Sequence, residues 1–513
     1  MLLHKGTVSS CLAHLYPSKM KTYLIIILLL VFRLSLSAQN NYFHKIYPND
    51  TATYTGTIAT IPTQNGYYTV GAQASNTYGA IDIKFLDPDG AVMDTKVIDS
   101  GPYQYSLLQG EQFIRNAQGG YTLVYSRTVA PGSTDKDIYM VFLDADGNPT
   151  GQPQHYGEPD AAESPYQVLQ TSDNGYLIVG RQSYINEYSH FYLVKTDSVG
   201  GVVWTNTYTT GNTGSSVAFT AIERPDGGYM VSGYGHYPIW NYQTIVCAID
   251  AAGNWEWTRN YGSVGDDGAG MLTQQSDTTY FLYGLMREGG MRKIFLSYLN
   301  NGGDTIWRKK YIMSDFTGPQ AYFLKKSNNR YYAAGLNQDP TTSELAGVLL
   351  AFDGQGDTLW TRQFTSNPAQ EHYLRDIDFT PDGGIILTGF VYDQPTAGWL
   401  IKTDSLGNTC AYVGCDSTSV VGVGWVPAAA PDPPPYAVVY AAPALELRSL
   451  VLSATATTFN LYDLQGRTAM SRFLHPAASV QHIDAGSLPA GIYVYTFADP
   501  NGGIVQRGKV AVW

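Results

Sequence analysis

Three patterns recur in phase along residues 39–415 of this 513-residue chain: a tight turn opening a strand, an Asp-headed turn, and a Trp shortly after it. Together they predict an all-β fold, a seven-bladed β-propeller with four antiparallel strands per blade and the N-terminal strand closing the ring. A small Ig-like β-sandwich is expected to follow. The first anchor is Asn65-Gly66-Tyr67, Gly119-Gly120-Tyr121, Asn174-Gly175-Tyr176, Gly227-Gly228-Tyr229, Thr278-Thr279-Tyr280, Asn329-Arg330-Tyr331 and Gly383-Gly384-Ile385. From position 67 to 385 it spans 318 residues over six intervals, a mean period of 53. The second anchor is Asp87, Asp144, Asp197, Asp250, Asn300, Asp353 and Asp404; the third is Trp204, Trp257, Trp307 and Trp360, each seven residues later.

Each repeat reads as four short strands. Residues 217–262 give VAFTAIERP, an Asp226-Gly227-Gly228 turn, YMVSGYG, a longer loop, TIVCAID, a second turn, and WEWTRNYG. The glycines supply the positive φ that tight hairpins need, and the aspartates can bond the turn backbone. The outer strand recurs as WTNTY, WTRNY, WRKKY and WTRQF from positions 204, 257, 307 and 360, and is missing after Asp404. Phe43-His44-Lys45-Ile46-Tyr47 carries the same pattern ahead of the first repeat. It is expected to complete the seventh sheet and so remove an open edge.

Composition narrows the function classes. With 31 Lys and Arg against 43 Asp and Glu, the net charge is −12, which lacks the basic stripe that phosphate backbones require, so no nucleic-acid partner is expected. Forty tyrosines, 13% aromatics and only 14% charged residues exclude disorder. Residues 1–38 read as a leader and signal peptide, with Met20 the expected true start, the apolar run 24–32, and cleavage between Ala38 and Gln39. That run is too short to span a bilayer, so the mature protein is expected to have no transmembrane helix and to be secreted or held at the outer cell surface. In such a compartment Cys410 and Cys415 are expected to form a local disulfide, and Cys247, inside an apolar strand, to be a buried small hydrophobe.

Six prolines between 427 and 443 mark 416–443 as a linker, and 444–513 as a separate small β-domain with Gly-turn hairpins. The phrases 381–389 (PDGGIILTG) and 402–408 (KTDSLGN) resemble the secreted propeller repeats of Bacteroidetes. Residues 459–467 (FNLYDLQGR), 488–495 (LPAGIYVY) and Gly508-Lys509-Val510 resemble the C-terminal sorting domain of the type IX secretion system, although its usual opening Asn-Pro is replaced by Ala442-Pro443-Ala444. The resemblance implies the type IX machinery as a partner and export through the outer membrane. The Asp-to-Trp turn is one residue longer than the Asp-box of sialidases, so no sialidase activity is implied.

Catalytic motifs for zinc, phosphate and acyl-transfer chemistry are absent, and no cofactor and no metal are expected. Asp87-Pro88-Asp89-Gly90 and Asp144-Ala145-Asp146-Gly147 look like calcium loops but lack the closing Glu and fall on the repeat's own turn. Recognition is expected on the long loops joining strands two and three and successive repeats, where Tyr184, Tyr188, Tyr234, Tyr237, Trp240 and Tyr242 form the candidate aromatic platform for an extracellular glycan or protein ligand. An acidic rim of Asp160, Glu163, Asp266, Asp267 and Glu371 is the candidate acid and base pair of the rival function, a polysaccharide-acting enzyme. The expected function is a non-enzymatic surface scaffold for recognition or adhesion; a purely structural surface protein is the third reading.

Overall fold

Alternating apolar residues and seven phased hairpin turns leave the chain little choice but antiparallel sheet, and the computed structural model is all-β, with one short 3-10 turn, Gly110–Gln112, among the described residues. It describes residues 42–47, 54–75, 78–184, 187–210, 214–236, 242–262, 267–288, 291–311, 320–338, 345–366, 370–392, 396–409, 416–417, 436–441, 444–449, 458–463, 467–474, 480–498 and 504–512. The leader, the Ala38/Gln39 junction, Tyr237, Trp240, Asp266, Cys410 and Cys415 lie outside the described residues. The chain divides into two compact units, Met1–Gly424 and Trp425–Trp513.

In the first unit most repeats form one antiparallel meander each. Repeat 1 comprises Tyr54–Thr63, Gly66–Ala74, Gly79–Leu86 and Val92–Gly101; repeat 4 comprises Ser216–Glu223, Tyr229–His236, Tyr242–Ile249 and Trp255–Asn260. Repeats 5 and 6 pair in the same order. Repeats 2 and 3 are joined into one sheet by a parallel bridge between Lys136 and Ala162. These stacked four-stranded meanders are the architecture of a β-propeller. Repeat 7 supplies Glu371–Phe379, Ile385–Tyr392 and Ala397–Thr403, and its outer strand is Tyr42–Tyr47, with His44 opposite Ile401 and Tyr47 opposite Gly398. Asp416–Ser417 then pairs on Tyr42 and Phe43, so part of the expected linker is strand.

Each Asp-headed turn is built the same way. One side-chain oxygen of Asp87, Asp144, Asp197, Asp250, Asn300, Asp353 or Asp404 accepts the N–H two residues on at 2.8–3.0 Å and the N–H four residues on at 2.7–2.8 Å. The glycine three residues on takes φ between +73° and +88°, a region costly for any residue with a Cβ. Asp87 and Asp144 are therefore turn residues.

The neighbouring repeat closes over that glycine. The hydroxyls of Tyr156, Tyr208 and Tyr261 donate to the carbonyls of Gly200, Gly253 and Gly303 at 2.8, 2.7 and 2.5 Å, and Tyr311 does the same to Gly356. Trp204, Trp257, Trp307 and Trp360 lie so close over Gly253, Gly303, Gly356 and Gly407 that a Cβ there would come within 2.5–2.9 Å of the indole. Tyr47 of the N-terminal strand makes this same contact with Gly90 of repeat 1, at 2.6 Å. Repeat 1 is thus seated against repeat 7, and Thr57 joins them again by donating to the Gly389 carbonyl at 2.5 Å and accepting Trp399 N–H at 3.0 Å.

Bulges in the innermost strands turn polar side chains toward the next repeat. Gln167, Thr220 and Asp376 each follow such a bulge. Gln167 accepts Ala221 N–H at 2.6 Å, Thr220 accepts Leu272 N–H at 3.1 Å, and Asp376 accepts Thr60 N–H at 3.1 Å while pairing with Lys325 at 2.8 Å. Cys247 is fully buried and free, and burial pushes its thiol up, as expected of a packed small hydrophobe.

The second unit has two sheets around one apolar core of Leu445, Leu447, Phe459, Leu461, Tyr495 and Phe497. One sheet orders Tyr436–Ala441, Ala444–Ser449 and Val480–Asp484; the other orders Thr468–Phe473, Thr458–Tyr462, Gly491–Ala498 and Ile504–Val512. Residues 436–441, placed in the linker by their prolines and alanines, belong to this unit because their register with 444–449 covers Leu445 and Leu447.

The seated glycine separates strain from packing. Gly119→Ala, at φ +87° with nothing within 4 Å of the added Cβ, is expected to cost about 1–2 kcal/mol of stability; Gly253→Ala, at φ +84° under Trp204, is expected to cost measurably more in denaturant unfolding. The N-terminal strand should also be acid-sensitive. His44 is buried, accepts the Trp399 indole N–H at 2.7 Å and is held neutral, its pKa lowered from 6.5 to about 4 by burial and by His372. Its stabilisation is complete above pH 6.5 and is lost as pH falls toward 4, roughly 3 kcal/mol at about 1.4 kcal/mol per tenfold change in proton affinity. The melting temperature of the native chain should fall over that window, and His44→Gln should flatten the fall.

Candidate functional site

The four described loop-side aromatics fall into two groups, one packed and one exposed. Tyr234 and Tyr242 lie diagonally across paired strands of repeat 4 with ring centroids 5.2 Å apart, and Tyr242, opposite His236, packs on it at 3.9 Å. Tyr234 also meets Phe219 at 5.4 Å, and burial pushes its phenol up to about 12. These rings hold the strand ends of repeat 4 together. Tyr184 and Tyr188 of repeat 3 are exposed, at 37% and 54%.

The acidic rim separates in the same way. Asp267 is buried and accepts Arg287 N–H at 2.6 Å, which fixes the entry into repeat 5. Glu371 is exposed and accepts the Tyr373 hydroxyl at 2.8 Å. Asp160 sits at φ +62° and its N–H donates to Asp135 at 3.2 Å. Glu163 is fully buried and lies with Asp135 and Asp137 in a cluster whose ligand oxygens are all within 4.8 Å of one another. Glu163 Oε1 accepts Gln182 Nε2 at 2.9 Å and Glu158 N–H at 3.3 Å. Burial, with the charges of Asp137 and Asp135, pushes its carboxyl up to about 7, against those hydrogen bonds. Burial and Asp135 raise Asp137 too. Asp135 and Asp137 flank the start of the third strand of repeat 2, Lys136–Leu143, and no sequence pattern ties them to Glu163 in the next repeat.

The groove that the sequence analysis missed lies on the tight-turn side, between repeats 1 and 2. It has a volume of about 670 Å³, and its lining includes Tyr68, Phe85, Tyr121, Arg115, Asn65 and Asp146. In repeat 5, Phe281 and Tyr298 lie with centroids 5.2 Å apart at 46°, and Trp307 packs on both, at 5.6 and 5.5 Å. In repeat 1 the corresponding pair, Tyr68 and Phe85, has the same 5.2 Å separation at 44°. The position of the tryptophan, seven residues after Asp87, holds Asp94, which is exposed and lines the adjoining end of the groove. Gly147, the turn glycine of repeat 2, accordingly has no indole over it: an added Cβ would meet Tyr68 alone, at 3.3 Å. Lys96 spans the gap, donating to the Asp146 carbonyl at 2.5 Å and to Asn148 at 2.8 Å.

No family model matches the chain. No curated protein matches it either. Among solved structures it is similar to the WD40 domain of Pan2 from Neurospora crassa, at 10% identity and TM-score 0.42 over 73% of this chain and 98% of that one. It is similar also to Drosophila Semaphorin 2a, at 6% and 0.43 over 92% and 99%, and to the β-propeller domain of the Trilobed protease of Pyrococcus furiosus, at 11% and 0.39 over 67% and 95%. The architecture given above rests on this chain's own strand pairings. Among the described residues no helix is long and apolar enough to cross a membrane.

The two sets of loop tyrosines should respond differently to truncation. Tyr242→Ala, which removes a ring packed on Tyr234 and His236, is expected to lower stability by about 1–3 kcal/mol; Tyr184→Ala and Tyr188→Ala are expected to stay within about 0.5 kcal/mol of the native chain in denaturant unfolding.

Proposed function

We propose that this chain is a secreted seven-bladed propeller that binds a sugar ring of an extracellular glycan and serves recognition or adhesion at the cell surface. The observation that carries the ligand is the uncovered Tyr68 and Phe85 pair, set as Phe281 and Tyr298 are set beneath Trp307. A place shaped for an indole accepts a flat apolar face, and the pyranose ring offers one with hydroxyls around its edge. Asn65, Arg115 and Asp146 stand at the margin of those rings, where they can exchange hydrogen bonds with the hydroxyls.

The closed seven-repeat ring is supported by the pairing of Tyr42–Tyr47 with Ala397–Thr403 and by the Tyr47 contact on Gly90. Secretion is supported by the leader pattern of residues 1–38 and by the likeness of 444–513 to a type IX sorting domain of Ig-like form.

The test restores the tryptophan. Asp94→Trp should fill the groove, raise stability by about 1 kcal/mol through the regained ring contacts, and abolish binding of the full chain on a glycan array. Binding that survives the substitution would remove the groove as the site, and release of reducing sugar from any bound glycan would replace the binding function with an enzymatic one.

A further inference from the structure

We propose that Asp135, Asp137 and Glu163 form a binding site for a hard divalent cation, calcium by preference, which clamps repeat 2 to repeat 3. The three carboxylates come from two repeats and meet where the sheets are joined by the Lys136–Ala162 bridge. Glu163 is fully buried, and its Oε2 has no hydrogen-bond partner; the buried Oδ1 of Asp135 has none either. Two orphaned anionic oxygens inside a protein need a cation, a proton or a donor. Of the two basic groups near Asp137, His155 stacks on Tyr139 with ring centroids 5.9 Å apart, and Arg127 is already paired with Asp99 at 2.8 Å and with the Tyr139 hydroxyl at 2.8 Å.

The donor set selects the ion. All three ligands are carboxylates, with no His or Cys in the group, which suits calcium or magnesium rather than zinc or copper. Calcium takes roughly 6–8 oxygens in a flexible geometry, and three carboxylates, some bidentate, supply half or more of them, with water as the remainder. Magnesium demands a stricter octahedron. The surroundings hold the ligands in place: Gln182 donates to Glu163 Oε1 at 2.9 Å and itself accepts the Thr207 hydroxyl at 2.8 Å, while Asp160 N–H donates to Asp135 Oδ2 at 3.2 Å. Glu163 and Asp135 each therefore have one oxygen held by a donor and the other without a partner. Gly157 lies against Asp137, where a Cβ would come within 2.1 Å of Oδ1, so the connecting loop leaves the carboxylate its space.

The site is independent of the aromatic groove and can be tested without a glycan. The full chain, stripped with EGTA, is melted with and without calcium or magnesium, and titrated with terbium, whose emission is excited through Tyr192, a ring that feels the charges of Glu163 and Asp137. Calcium is expected to raise the melting temperature by several degrees, magnesium by less, and terbium emission to saturate and be displaced by calcium. Glu163→Gln should lose the calcium shift while melting, metal-free, no lower than the native chain, since it removes one of three mutually repelling charges. Asp137→Asn, on the half-buried ligand, should lose it too, and Gln182→Ala should weaken affinity by about 10-fold or more. The proposal is overturned by either of two results. One is no shift and no emission up to about 10 mM calcium, beyond the weakest extracellular sites, in which case Glu163 carries a proton instead. The other is a shift that persists in both ligand variants, which would place the ion elsewhere.

Discussion

The structure depends on a single repeated contact, in which a ring from one repeat's outer strand covers the turn glycine of the next. The contact has two requirements, and one residue meets both. The five-residue turn needs a positive φ at its fourth position, and the ring above needs a neighbour without a Cβ. Glycine at 200, 253, 303 and 356 answers both, and the tyrosine hydroxyl then takes up its carbonyl, which would otherwise be a covered acceptor without a donor. The head residue of the turn completes the motif by satisfying two backbone N–H groups with one oxygen. Local conformation and contact between repeats are therefore not separable.

Where the contact varies, the molecule acquires its particular features. At repeat 1 the covering ring comes from the far end of the chain, Phe43 and Tyr47, so the seventh sheet is completed by the first strand. That strand is held partly by a histidine that must stay neutral, because His44 is buried and accepts a hydrogen bond from Trp399. At repeat 2 no indole arrives: Asp94 stands in the place of the tryptophan, the Tyr68 ring lies against Gly147 instead, and a groove opens beside Tyr68 and Phe85. The tyrosine excess thus divides into residues that close one repeat on the next and a few that a missing partner leaves uncovered.

Much of the architecture was legible because its causes are local. Phase between the three anchors gave the repeat, the missing outer strand after Asp404 pointed to Phe43–Tyr47, and the Asp turns read as turns for the reason the hydrogen bonds show. The candidate sites were far less legible. Tyr234 and Tyr242 looked like loop residues free for a ligand, but two-residue alternation places both on one face of paired strands, where they pack together. Asp160 and Glu163 stood out as charges, whereas Asp135 and Asp137 passed as the polar end of a strand. Asp94 is one of three breaks in the tryptophan series, with Gly151 and Ala411, and which of the three follows an aromatic pair like Tyr68 and Phe85 could not be told from the series alone.

The sequence by itself determined the strand pattern, the turns and the count of repeats, since each follows from short-range rules of backbone geometry and alternation. Tertiary structure alone decided which groups from different repeats meet. Glu163 reaches Asp135 and Asp137 because a bridge at Lys136 and Ala162 joins two repeats, and Tyr68 and Phe85 stay only half-buried where Asp94, opposite Phe85, stands in the place of a tryptophan. Such encounters depend on distance in space between residues far apart or unpatterned in the chain, and no periodicity records them.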